Sequence, residues 1–276
     1  MEASKTQDRS EEEIEFNGIR SLGELLSREG EITILDLCAL VPQPSDLTTN
    51  SGALYLGGRN PNTEKAEAER FKHEMTYTAN LRDTLLSQPG RLDGDIASVC
   101  SSPEMVTRYR EVTIADLKSK VSRIRDPKAK EELGALLKVH QRSLKFLQRR
   151  QYNLELVDGF RDFLRHPELT GEPGGDRNSY DPKHIPQISD SSLSLIETAF
   201  TSAEPANLVT RDRTVLKVFA NTARLATGNN MAWAEHIALP KDVEELRECT
   251  EARLFYLTPK KANGGYSLDV TFIGGI

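Results

Sequence analysis

A short apolar run that ends in an aspartate constrains this chain more than any other feature. The run is Ile32-Thr33-Ile34-Leu35, and Asp36 follows it directly. A continuous apolar, β-branched run of this length is typical of a strand buried on both faces, as in a parallel sheet. A carboxylate at the end of such a strand is costly to bury without a partner. The run therefore predicts a buried strand, followed by an aspartate whose carboxylate interacts with a partner group.

The outer parts of the chain alternate further strand candidates with helical segments. Residues 96–100 and 207–210 are short and apolar, and helical patterns lie between and after them. This alternation predicts an α/β fold, with a mostly parallel sheet covered by helices. Near the C-terminus, two alternating runs at residues 253–258 and 266–272 flank Asn263-Gly264-Gly265, which is a β-hairpin signal.

Charge and patterning divide the chain into three parts. Residues 1–30 hold eight acids against four bases and are interpreted as a charged N-terminal tail that becomes helical at about residues 19–27. Residues 31–235 contain the predicted sheet, with a helical insertion at about 113–165. Residues 236–276 form a C-terminal extension that carries the hairpin.

Composition excludes several broad classes of protein. No stretch approaches the ~18 uncharged apolar residues that a membrane span needs, and the acidic N-terminal segment lacks the apolar core of a secretory signal. The three cysteines lie far apart, so neither a disulfide framework nor a zinc knuckle is expected. We expect a cytoplasmic protein without a membrane partner.

One segment of this acidic chain is strongly basic. The net charge is −6, but residues 106–150 hold thirteen bases against five acids. Lys138, Arg142, Lys145 and Arg149 recur at helical spacing on the side opposite a leucine stripe. This face suits RNA phosphates, although an ordinary solvated face has the same pattern.

Three aspartates remain as candidate catalytic residues once common motifs are excluded. The chain has no nucleophile elbow, P-loop, H-E-x-x-H pair or dinucleotide fingerprint. Asp36 ends the first strand, Asp190 leads a helix and Asp212 follows the strand at 207–210. Parallel strands end at a shared edge, so these acids can converge there.

Gathered carboxylates need a cation, because they otherwise raise one another's pKa. Oxygen ligands suit Mg²⁺ or Mn²⁺, and such an ion activates water against a phosphodiester. Asp190 and Asp212 also suit a second interpretation, in which each only caps a helix.

The chain resembles the PIN-domain family in three segments. They are the strand with Asp36, "ISDSSLSLIETAF" with Asp190 and "LVTRDRTVLKVF" with Asp212, in the family's order and over about half of the chain. The resemblance implies a PIN-like three-layer fold, a parallel sheet flanked by helices. It also implies a Mg²⁺- or Mn²⁺-dependent endoribonuclease in which these aspartates are catalytic metal ligands. Arg211 and Arg213 would then join the basic stripe in contacting RNA.

One position departs from the family pattern. Arg108 stands where the family places a glutamate, while Glu104 and Glu111 lie one turn to either side. Either glutamate is a candidate fourth metal ligand, and Glu111 is also a candidate catalytic residue. If neither serves, the alternative is a non-catalytic RNA-binding or assembly protein on a degenerate PIN-like fold.

A second enzyme class and further partners are compatible with parts of this pattern. A phosphatase-like hydrolase would need an Asp-x-Asp pair after the first strand, and Asp36-Leu37-Cys38 lacks it. RNA is the expected partner, and the resemblance also leaves room for a protein regulator or antitoxin and for a homodimer.

Overall fold

A mixed five-stranded sheet forms the centre of the protein. The computed structural model describes residues 16–41, 62–86, 99–123, 127–148, 160–166, 169, 188–226, 251–262 and 265–275. The strands are β1 (Ile32–Leu35), β2 (Val99–Cys100), β3 (Ala206–Thr210), β4 (Ala252–Ala262) and β5 (Gly265–Gly275). Their order across the sheet is β2-β1-β3-β4-β5.

Helices connect and cover these strands. They are α1 (Leu22–Leu26), α2 (Leu37–Leu40), α3 (Asn62–Leu86), α4 (Pro103–Arg108), a π-helix (Tyr109–Ile114), α5 (Ala115–Arg123), α6 (Pro127–Gln148), α7 (Phe160–Leu164), α8 (Asp190–Thr201) and α9 (Arg213–Ala226). None of the helices in the described ranges is long and apolar enough to cross a membrane.

Parallel pairing aligns the carboxyl ends of the inner strands. β1 pairs in parallel with both β2 and β3, and β3 pairs in parallel with β4. Every residue of β1 and β3 is buried, so both faces of the sheet are covered there. The α/β class predicted from the sequence is thereby confirmed. The sheet is not wholly parallel, because β5 runs antiparallel to β4.

The C-terminal hairpin is part of the main sheet, which corrects its interpretation as an attached extension. Residues 252–256 of β4 pair with β3, opposite residues 206–210. Residues 257–262 pair only with β5, so the hairpin continues beyond the carboxyl edge of the parallel strands. Alternating apolar residues predicted the hairpin but carried no information about its neighbour in the sheet.

The helix predicted at about residues 19–27 is present as α1, but the described part of residues 1–30 packs into the core and is not a tail. Phe16, Leu22, Leu25 and Leu26 are buried in the core. α1 begins with a capping box, in which the Ser21 side chain and the carboxylate of residue 24 each bind the other's backbone N–H. The helical spacing of the apolar residues predicted a helix. The many charges around them led to the interpretation of the segment as a tail rather than as part of the core.

The sequence predicts two or three helices between residues 105 and 165, the longest over about residues 130–163. The structure describes α6 as Pro127–Gln148 and α7 as Phe160–Leu164, and residues 149–159 lie outside the described residues. The π-helix joins α4 to α5 without a break. It packs against α6 through a hydrogen bond between the hydroxyl of Tyr109 and Nδ1 of His140, 2.6 Å apart in the interior.

Candidate active site

Asp36 and Asp212 meet around the hydroxyl of Thr210, the last residue of β3. Oγ1 of Thr210 donates a hydrogen bond of 2.7 Å to Oδ2 of Asp36. The same oxygen accepts the backbone N–H of Asp212 at 3.0 Å. Because β1 and β3 are parallel neighbours, their ends bring two acids 176 positions apart in the sequence to one place. The two strand ends therefore lie together, as the sequence predicted, and Asp212 reaches Thr210 through its backbone N–H rather than through its carboxylate.

Asp36 is buried at the start of α2, where it also serves as the helix N-cap. The backbone N–H of Leu37 donates to Oδ1 at 2.6 Å, and the thiol of Cys38 donates to Oδ2 at 3.0 Å. Only 3% of the residue's surface is exposed. Burial raises the pKa of this carboxyl, and the nearby charge of Asp212 raises it further, while the bonds from Cys38, Thr210 and Leu37 act in the opposite direction.

Asp212 is half-buried and caps α9. Its Oδ1 accepts the backbone N–H of Thr214 at 2.8 Å, and its carbonyl accepts the N–H of Leu216. The capping interpretation of Asp212 is therefore correct, but it does not exclude a second role. Each carboxylate oxygen has two lone pairs, and the charge of Asp212 acts on Asp36.

Cys38 is a member of this cluster that the sequence argument missed. Its sulfur donates to Asp36, lies 3.4 Å from Oγ1 of Thr210 and accepts the N–H of Arg211 at 3.1 Å. Burial and the Asp36 charge raise the pKa of the thiol, so it stays protonated and acts as a donor. Its place two residues after the strand-end acid, at the start of a helix, was the signal available in the sequence.

Asp190 is placed apart from this pair, on the surface. It is the first residue of α8, but Ser189 caps the helix. The side chain is 70% exposed and accepts a 2.8 Å hydrogen bond from Nη2 of Arg165, just after α7. This bond lowers the pKa of Asp190.

Glu104 is likewise held by an arginine. Arg161 of α7 donates through Nη1 to Oε1 of Glu104 at 3.1 Å, and through Nε and Nη2 to Oε2 of Glu197. The side chain of Glu197 is 1% exposed, so Arg161 neutralises a buried charge. Neither this arginine nor Glu197 was among the candidates drawn from the sequence.

Glu111 does not share the environment of Glu104, although α-helical spacing would place both on one face. Glu104 is half-buried beside Arg161, whereas Glu111 is exposed, as is Arg108. The π-helix explains the difference, since its i→i+5 bonding widens the turn and shifts side chains after Tyr109 from their α-helical positions.

The predicted RNA-contacting bases lie at the surface where the structure describes them. Lys138, Arg142 and Lys145 are exposed on α6, and Arg149 lies outside the described residues. Arg213 is exposed at the first position of α9, and Arg211 is half-buried beside Cys38.

A pair of carboxylates at one strand edge would suit Mg²⁺ better than a metal that needs a complete protein cage. Mg²⁺ keeps several waters and is commonly held by one or two carboxylates together with substrate phosphates. Within the described ranges, no three His, Cys, Asp or Glu side chains form a group that could hold a metal ion. Among the described side chains, a cation here would therefore have only two carboxylates, those of Asp36 and Asp212, and would keep several waters.

Comparison with known proteins adds no relative. No family model matches this chain, and neither the curated proteins nor the solved structures contain a match.

Proposed function

We propose that this protein is a divalent-metal-dependent endoribonuclease. The observation that supports the proposal is the Thr210 hydroxyl, which donates to the carboxylate of Asp36 and accepts the backbone N–H of Asp212 at the carboxyl edge of parallel strands. Ligands of open α/β sheets bind at that edge. Burial raises the pKa of Asp36, the charge of Asp212 raises it further, and a cation beside the two acids would remove this penalty.

The chain's own groups have separate roles in this proposal. Asp36 and Asp212 would hold Mg²⁺ or Mn²⁺, and Thr210 and Cys38 fix the carboxylate of Asp36. When bound, the cation would activate water and stabilise charge on the phosphodiester. Arg211 and Arg213, beside Asp212 in sequence, would bind the RNA phosphates. The proposal also includes a PIN-like arrangement of the sheet and its helices, and a cytoplasmic location for the protein.

Asp190, Glu104 and Glu111 contribute less than the family resemblance implied. The first two are paired with arginines of the α7 region, and the third is exposed on the π-helix. The proposal therefore rests on two carboxylates rather than four.

A second candidate is a non-catalytic RNA-binding protein on a degenerate nuclease fold. The pairing of Arg161 and Arg165 with Glu104 and Asp190 favours it, because protein cations occupy acids that a nuclease would use. Arg108 in the position of the family glutamate favours it as well.

Cleavage of a single-stranded RNA by the wild-type protein in Mn²⁺ and in EDTA tests the proposal. We expect Mn²⁺-dependent cleavage that Asp36→Asn or Asp212→Asn lowers by more than about a hundredfold, since metal stabilisation of the transition state contributes several kcal/mol. Asp162→Asn is the matched control, because that aspartate is 84% exposed on α7.

Metal binding is measured separately through stability. Saturating Mn²⁺ at about 100 times its Kd should stabilise the wild-type protein by about 2.7 kcal/mol, and Asp36→Asn should lose this gain. Equal cleavage by all three aspartate variants would refute the site. RNA binding without cleavage in any divalent metal would instead support the second candidate.

A further inference from the structure

Strand register extends the row of site residues to Tyr256. Thr210 of β3 lies opposite Tyr256 of β4. On the other side of β3, Leu35 lies opposite Val209, and the next residue, Asp36, donates its N–H to the carbonyl of Val209 at 3.0 Å. Residues opposite one another on neighbouring strands are about 5 Å apart and project to the same face. Asp36, Thr210 and Tyr256 therefore form one row across the carboxyl edge.

Exposure changes along this row. Asp36 and Thr210 are buried, whereas Tyr256 is half-buried and presents part of its side chain to solvent. Its neighbours on β4, Phe255 and Leu257, belong to the apolar core that the described residues form, and Tyr256 is not part of it. Core packing therefore accounts for the adjacent residues but gives no reason for an aromatic side chain at this position.

The surroundings of Tyr256 indicate what such a ring could bind. Thr258, two residues further along the same face of β4, is half-buried and polar. The strand there has passed the end of β3, so the hairpin rises beside the edge that carries the acids. Lys260, the next residue on this face, is paired with Asp269 at 2.6 Å and contributes little free charge. A flat aromatic surface with polar neighbours suits a planar, polar-edged ligand.

We propose that Tyr256 is a base-stacking platform for the nucleotide adjoining the scissile phosphodiester of RNA. Every base has a π-face, so an aromatic side chain can stack on it without selecting sequence. The inference rests on the proposed function, because it takes the phosphodiester to lie at Asp36 and Asp212. It adds a positioning residue that holds the substrate through its base rather than through its phosphates.

Affinity for short single-stranded RNA, measured in EDTA by fluorescence anisotropy, tests the platform without cleavage. We expect Tyr256→Ala to weaken binding about 5- to 100-fold, the range for loss of one base–aromatic stack. Tyr256→Phe keeps the ring and should bind within about twofold of wild type. Ile273→Ala, an exposed apolar truncation on β5, is the matched control and should leave the affinity unchanged.

An oligonucleotide with the same backbone but no bases separates stacking from backbone contact. The platform predicts that wild type binds it more weakly than RNA, and that Tyr256→Ala does not weaken that binding further. An equal loss on both ligands, or no loss on RNA, overturns the inference.

Two further outcomes separate failure of the Tyr256 platform from failure of the proposed nuclease function. If Tyr256→Ala fails to fold by circular dichroism, the wild-type comparison decides, and equal affinity for the two ligands overturns the platform. Wild type that cleaves RNA in Mn²⁺ but is insensitive at Tyr256 overturns the platform alone, whereas wild type that neither binds nor cleaves RNA in Mn²⁺ overturns the proposed function with it.

Discussion

At the scale of single residues, Asp36 and Asp190 have opposite electrostatic surroundings. Asp36 is buried beside a second acid, and its pKa is raised, first by burial. Asp190 is exposed beside Arg165, and its pKa is lowered by that hydrogen bond. Stability rises with pH wherever the unfolded chain binds more protons than the folded one. The two residues should therefore give opposite pH dependence.

We predict this difference in the metal-free protein, with EDTA present. The stabilising contribution of Asp36 is present below about pH 4 and is lost as pH rises towards its folded pKa. The free energy of unfolding of wild type relative to Asp36→Asn should therefore fall as pH rises above about 4.

Asp190→Asn is the matched control for the direction in which stability changes with pH. Relative to it, the stability of wild type should rise with pH through the folded pKa of Asp190 up to about 4, by less than about 1 kcal/mol because the pair is exposed. Denaturant unfolding from pH 3 to 8 measures both differences. A flat Asp36 difference above pH 4 would contradict the burial of this carboxyl.

The sequence could place Asp36 and Asp212 because each follows a buried strand. Parallel pairing then brings the strand ends together whatever the separation in sequence. It could not find Arg161 and Arg165, because their partners depend on where a five-residue helix packs. A short helix without a long apolar stripe has no fixed position until the core forms.

At the scale of elements, α6 shows which features of a helix the periodicity of its sequence predicts. Leu133, Leu144 and Leu147 are buried, and the bases Lys138 and Arg142 are exposed, as the spacing predicted. The described part of α6 covers residues 127–148, and the stretch of the predicted helix from 149 to 159 lies outside the described residues. The sequence did not predict the π-helix, because nothing in Tyr109–Ile114 distinguishes i→i+5 from i→i+4 hydrogen bonding.

Exposure alone does not decide whether the basic face of α6 binds RNA. We predict that Arg142→Gln with Lys145→Gln weakens RNA binding and flattens the slope of log affinity against log salt by about 1.4, since each phosphate contact to a single strand contributes about 0.7. Metal affinity should not change. Stability should not change either, because the buried leucines lie on the opposite face.

A pair of substitutions elsewhere controls for net charge. Lys118→Gln with Arg123→Gln removes the same charge from exposed positions on α5. A slope that flattens equally in both double variants would show a general charge effect and no binding by the α6 face.

At the scale of the whole molecule, one apolar core links the N-terminal segment to the C-terminal hairpin. The ring of Phe16 lies 5.6 Å from that of Phe272 and 6.2 Å from that of Phe255. The guanidinium groups of Arg28 and Arg253 lie over it, at 4.5 and 4.1 Å from its centroid. Phe16 and the C-terminal hairpin therefore pack against each other in this core.

Buried charges reinforce this junction. Glu31, just before β1, accepts hydrogen bonds from Arg28 at 2.8 Å and from Asn207 at 2.7 Å. Nη1 of Arg253 lies 3.2 Å from the same carboxylate. Arg253 and Arg28 thus each contact both Glu31 and the ring of Phe16, so loss of the ring should loosen the ion pairs as well.

The final prediction tests whether residues 16–30 are structural or a tail. Phe16→Ala should destabilise the protein by about 3–5 kcal/mol, the usual cost of removing a buried phenylalanine. Phe16→Leu should cost less, because it keeps apolar contact and loses only the cation–π and ring interactions. Asn17→Ala, at an exposed neighbouring position, should change stability by no more than about 0.5 kcal/mol. If all three variants unfold at the same denaturant concentration as wild type, the segment is a tail after all, and its packing against the hairpin contributes nothing to the fold.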